Sequence, residues 1–199
     1  MTPIKAARWA LLISVLLQGG CATAPRVNFY NLNAPDPSAQ VGQSSLVLAL
    51  GPVDLPQYLD RPQIVTRLGD NRLSVDEFNR WGGRLDEEIT RVLAQHLGHR
   101  LGTQRIYSYP SRVMADTDYR IAFDIRSFDG APAGEVSLDV AWSVIDDRTG
   151  VVVQTRQAVY RGASAGPDYD AYAAALSATL ARLGDDLVAV LAALAPSSR

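Results

Sequence analysis

Apolar and polar residues alternate strictly along two long stretches of the chain. Over 118–128, Tyr119, Ile121, Phe123 and Ile125 alternate with Arg120, Asp124 and Arg126. Over 135–146, Val136, Leu138, Val140, Trp142 and Val144 alternate with Ser137, Asp139 and Ser143. A period of two predicts strands with one buried face. Residues 146–150 read as a turn and 151–160 as a third strand, which completes an antiparallel meander.

Two other stretches carry the helical period. Leu85, Ile89, Val92, Leu93, Leu97 and Leu101 form one stripe over 84–101. Asp86, Glu87 and Glu88 suit the positive end of that helix, and Gly102 follows it as a stop. Residues 169–194 form a long Ala- and Leu-rich helix. Arg182, Asp185 and Asp186 interrupt it, which excludes a membrane span, and Gly184 is a point of weakness or kinking.

The N-terminal half is patterned less regularly. Residues 27–32 read as a strand, 33–45 as a loop, and 46–50 as a strand buried on both faces. Three prolines make 51–62 irregular or a sheet edge. Residues 63–68 and 72–75 are strands joined by the turn Gly69-Asp70-Asn71. Residues 76–83 have no clear assignment, 105–109 suit a short strand, and 162–168 a loop. Strands, helix, meander and helix in that order predict an α+β fold, a mostly antiparallel sheet with two main helices packed on one face.

The first residues change the picture. Lys5 and Arg8 precede an apolar run from Trp9 to Leu17, and Gly19-Gly20 then precede Cys21, the only cysteine. This is the order of a secretory signal peptide, and the run is too short to cross a bilayer. Leu17-Gln18-Gly19-Gly20-Cys21 resembles a lipobox, with Gln18 where Leu is usual. The domain plan is therefore a cleaved signal peptide (1–20), a lipidated tether (21–26) and a single α+β domain (27–199). A covalent acyl lipid on Cys21 is the only cofactor expected. Three acyl chains, as on bacterial lipoproteins, would hold the chain stably in a membrane. Ala22, rather than Asp, points to the periplasmic face of the outer membrane by the sorting rule of that class.

Removing 1–20 takes Lys5 and Arg8 from the 19 basic residues and none of the 21 acidic ones, leaving a net charge of −4. No basic patch for nucleic acid is present. With no second cysteine, no internal disulfide can form, so a packed core must hold the fold.

Candidate chemistry is thin. Gly162-Ala163-Ser164-Ala165-Gly166 matches G-x-S-x-G between a strand and a helix, but both histidines lie upstream of the serine. His96 and His99 are spaced to share a helix face, with no third metal ligand evident, and read as surface or boundary residues. Asp86, Glu87 and Glu88 diverge around the helix axis and do not converge on a substrate. No phosphate-binding glycine loop occurs. The reading is no enzyme and no metal. Within 51–65, Leu55, Tyr58 and Leu59 suit either the core or a pre-ordered interface, where Tyr and Arg are common anchors.

Cys21, Tyr30-Asn31-Leu32, Tyr58-Leu59-Asp60-Arg61-Pro62-Gln63-Ile64-Val65 and Arg80-Trp81 together resemble the ABC-type transport auxiliary lipoprotein (PqiC-like) family over nearly the whole chain. Gly82-Gly83 departs from the Ala-Glu-Pro many members carry there. The resemblance implies a non-enzymatic subunit of an MCE-type (mammalian cell entry) lipid transport system. Its partners would be an MCE-domain (PqiB-like) protein, the associated permease, and copies of itself in a ring built on heterologous contacts. Tyr58, Leu59, Asp60, Arg61, Pro62 and Trp81 become the expected partner or subunit contact. A periplasmic ligand-binding or envelope-assembly lipoprotein is the alternative.

Overall fold

A computed structural model describes residues 25–34, 42–110 and 116–194. The signal segment and Cys21 lie outside the described residues. Among the described residues, eight strands and two helices follow in order: β1 (Asn28–Tyr30), β2 (Leu48–Asp54), β3 (Gln63–Gly69), β4 (Arg72–Trp81), α1 (Leu85–Leu101), β5 (Ile106–Ser108), β6 (Tyr119–Gly130), β7 (Glu135–Asp146), β8 (Val152–Ala163) and α2 (Tyr169–Leu194).

The class is α+β, with the strands divided between two sheets. A five-stranded sheet runs β5-β2-β6-β7-β8 and a three-stranded sheet runs β1-β4-β3. The meander β6-β7-β8 is antiparallel, whereas β2 lies parallel to both β5 and β6. Parallel neighbours need long crossovers, and α1 lies within the one that leads from β2.

Alternation in the meander follows the pairing. Ile121, Phe123, Ile125, Val136, Leu138, Val140, Trp142 and Val144 are all buried on one face. The helices cover that face, α1 over β2 and β5, α2 over β7 and β8, and they pack on each other. The stripe predicted for α1 is buried in full, and α2 adds Tyr172, Leu176, Leu180, Leu183, Leu187 and Leu191. The opposite face of the five-stranded sheet is polar, with Ser143 and Thr155 hydroxyls 3.0 Å apart across β7 and β8.

Gly184 is not a weak point. A Cβ there would lie 2.4 Å from His96 Cδ2, so its bare backbone lets the buried His96 ring sit between the helices. His96 Nε2 is 3.0 Å from Asp185 Oδ1, and Arg100 bonds the same carboxylate. Reading His96 as a surface or boundary residue is thereby corrected, while His99 is exposed.

Local differences have local causes. Residues 52–54, expected to be irregular, continue β2 through a register shift between Leu50 and Val53. Gly51 has φ 121°, and a Cβ there would meet Tyr109 O at 2.3 Å, so only glycine fits. β4 runs on past Val75 to Trp81, because Asp76 Oδ1 accepts from the Phe78 and Asn79 amides and stabilises a bulge. Gly102 ends α1 in the left-handed region at φ 65°, as its position predicts.

Candidate functional site

The Tyr58–Pro62 segment crosses from β2 to β3 as a compact turn. Leu59 N donates to Pro56 O at 2.9 Å, and Arg61 N to Leu59 O at 2.8 Å. Trp81 N donates to Pro62 O at 2.8 Å, which pins the far end of the turn to β4.

The six residues singled out there separate into two groups. Leu59 and Trp81 are buried in the core. Tyr58 is half-buried, and its hydroxyl donates to the Asp129 carboxylate. Asp60, Arg61 and Pro62 are exposed side by side at the apex. The inward residues fix the turn and the outward ones present it. No salt bridge engages the Arg61 guanidinium among the described residues, which leaves it available for an acidic group.

Asp129, at 1 % exposure, is the hub that sequence reasoning missed. Arg67 grips it with two bonds, Nε to Oδ1 at 2.8 Å and Nη2 to Oδ2 at 3.0 Å. This paired geometry compensates a buried carboxylate. Burial first, and the Asp129 carboxylate next, hold the Tyr58 phenol well above its ordinary value. The Arg67 guanidinium is raised chiefly by its bond to Asp129. Nothing near Asp129 in the sequence signals this, since its partners lie 62 and 71 positions away.

A chain of aromatic rings continues from the hub. Tyr172 donates its hydroxyl to Val65 O at 3.0 Å and meets Tyr169 edge-on. Tyr169 lies against Tyr30, with ring centroids 5.8 Å apart, and donates to Asp76 Oδ2 at 3.0 Å. Burial, then Asp76, pushes the Tyr169 phenol up to about 12.

The catalytic motifs resolve into structure. Ser164 is buried and donates its hydroxyl to Gly166 O at 2.8 Å, inside its own loop. Among the described residues no cluster of His, Cys, Asp or Glu could hold a metal, and no helix is long and apolar enough to cross a membrane.

These features sit in a domain of the transport-auxiliary lipoprotein class. The model of the ABC-type transport auxiliary lipoprotein component family matches residues 30–188, and the chain belongs to that family. The match begins at Tyr30, the last residue of β1, and runs through the Tyr58–Val65 segment, the other strands of both sheets and most of α2. Among solved structures, the chain is similar to a Xanthomonas campestris protein of family DUF330, at 18 % identity and TM-score 0.68, covering 81 % of this chain and 93 % of that one. It is also similar to an uncharacterized protein at 17 % identity and TM-score 0.67, covering 83 % and 99 %. At these identities the likeness is one of fold. No curated protein matches the sequence.

Proposed function

We propose that the chain is the outer-membrane lipoprotein subunit of an MCE-type, Pqi-like lipid transport system. In this reading Cys21 carries the acyl anchor, and the folded domain docks the periplasm-spanning MCE protein at the outer membrane as part of a homo-oligomeric ring. The observation that carries the reading is the family match across 30–188, which makes the chain an auxiliary component of an ABC-type transporter. The lipobox-like segment ending at Cys21 adds the anchor. The exposed Asp60-Arg61-Pro62 apex, held from behind by Tyr58, Leu59 and Trp81, is the contact assigned to a partner or neighbouring subunit.

The test is a pull-down of the tagged full-length chain from detergent-solubilised envelopes. Recovery of an MCE-domain protein and its permease is the expected result, and Arg61→Glu should reduce it. Recovery of neither would defeat the MCE assignment. The anchor is tested apart from the partner: Cys21→Ser, or globomycin, should block cleavage before residue 21, so that the longer precursor accumulates and the mature form is lost from the outer-membrane fraction.

A further inference from the structure

The three-stranded sheet has two unlike faces. Cross-strand partners share a face. Tyr30 pairs with Trp81, and Thr66 with Ser74, and this face turns inward: Trp81 and Thr66 are buried and Tyr30 packs on Tyr169. The other face carries Phe29 opposite Arg80, Val75 opposite Val65, and Leu73 opposite Arg67; it is covered along β3, where Val65 is buried and Arg67 reaches Asp129, and open along β1 and β4. Phe29 is 67 % exposed, with Leu73 and Val75 both partly exposed. Phe78, on the β4 bulge, is 46 % exposed, and Leu68 at the hairpin end is 56 % exposed. Phe29 and Phe78 lie outside the buried part of this face and add nothing to the core.

The place where the chain enters this sheet indicates what covers the open face. β1 is the first strand of the domain, and Phe29 is eight residues from Cys21. Eight extended residues reach at most about 28 Å. An acyl anchor on Cys21 therefore keeps Phe29 within about 28 Å of the bilayer, at a high effective concentration. A shallow apolar surface too small to bind lipid from solution can settle into the headgroup boundary under those conditions. Of the carboxylates on this sheet, Asp70 is exposed at the hairpin turn, two residues from Arg72. Glu77 is taken by Arg80 and Gln63, and Asp76 by backbone amides and Tyr169. Arg26 and Arg72 form no ion pair among the described residues and are free to meet phosphates.

The other exposed apolar group, Val151, Val152 and Val153, is at the wrong end of the molecule. Arg67 ties the β3–β4 hairpin to Asp129, which lies beside Ser137 and, one strand further, Arg161. Val152 pairs with Ile145 at the far end of β8, on the order of 30 Å away by strand rise.

We infer that the open face of the three-stranded sheet, led by Phe29 and Phe78, rests on the lipid headgroup surface of the membrane that holds Cys21. The inference depends on acylation of Cys21. Docked in this way, the domain has a fixed orientation rather than swinging on its tether, and the meander end with Val151–Val153 points away from the lipid.

The test uses the full-length acylated protein in vesicles of phosphatidylethanolamine and phosphatidylglycerol. One added cysteine, Phe78→Cys, carries an environment-sensitive fluorophore; the acylated Cys21 does not label. A blue-shifted emission, quenched by lipids with a nitroxide near the headgroup, is expected. The same label at Val153→Cys should remain water-like and unquenched. A second probe at Val75→Cys, on the same face, guards against a local effect of the Phe78 change. Vesicle flotation with water-like emission at both 75 and 78 would overturn the inference and leave the anchor intact. Failure of the wild-type chain to float would remove the anchor and this inference together. A blue shift that grows with concentration in the Cys21→Ser chain, without vesicles, would assign the face to a second copy and overturn it as well.

Discussion

The meander and the three-stranded sheet use apolar residues in opposite ways. In β6 and β7 the apolar positions alternate, and the buried set faces α1 and α2. In β1, β3 and β4 they fall on both faces, so Ile64 and Trp81 are buried while Phe29 and Phe78 are open. The first arrangement serves only to fold the chain. The second folds it and leaves apolar surface over, which is where a folded domain still has something to bind.

The sharpest way to break this contrast is to damage each region and compare the cost. Trp142→Ala, in the middle of β7, should destabilise by about 3–5 kcal/mol in denaturant titration, since a fully buried indole leaves a cavity. Asp129→Ala should cost about 2–3 kcal/mol, less than a wholly buried pair because Arg67 is 37 % exposed. It should also speed hydrogen exchange at the Leu59 and Arg61 amides, because Tyr58 and Arg67 lose their shared partner. Gly184→Ala should cost about 1–3 kcal/mol by crowding His96, and His96→Ala in the same chain should recover part of that loss in a double-mutant cycle. Phe29→Ser with Phe78→Ser should change stability by no more than about 0.5 kcal/mol, as expected of residues outside the core. A large loss from that pair would show the open face to be structural and erase the contrast.

The smallest effects are those of pH. Asp147 is held below the usual carboxylate range by Thr117 and Arg120. Burial opposes the same lowering at Asp76, but amide bonds from Phe78 and Asn79 outweigh it. A depressed folded pKa gives stability that is present above the unfolded value near 3.8 and lost as pH falls through the lower folded value. Asp147→Asn should flatten that acid limb in thermal melts. Tyr58, Tyr160, Tyr169 and Tyr172 are all raised above 10, chiefly by burial. Raised phenols give stability present below pH 10 and lost as pH rises through their folded values, so melting temperature should fall above pH 10.

Legibility in the sequence followed the range of the interactions. The meander, α1 with Gly102, and α2 could be read because each rests on spacing within one segment. The division into two sheets could not, because β1 pairs with residues about fifty positions away and β2 finds parallel neighbours across crossovers. The extension of β4 escaped because it depends on Asp76 capping a bulge. In the candidate site, family motifs marked the Tyr58–Pro62 turn but did not sort inward residues from outward ones. Asp129 carried no signal, since a lone aspartate near a strand end is ordinary until Tyr58 and Arg67 converge on it.

The tilted contact of Tyr30 with Tyr169 joins the first strand of the domain to its last helix. That contact sets an order of events in time. A chain delivered N-terminus first cannot secure β1 until β4 has been made, and cannot close the tyrosine contact until α2 has arrived. β1 is thus unsecured for an interval that lasts until β4 and α2 have both formed. Shortening α2 from its C-terminal end should leave that interval unchanged, whereas Tyr169→Ala should prolong it, as limited proteolysis near Val27 during refolding would report.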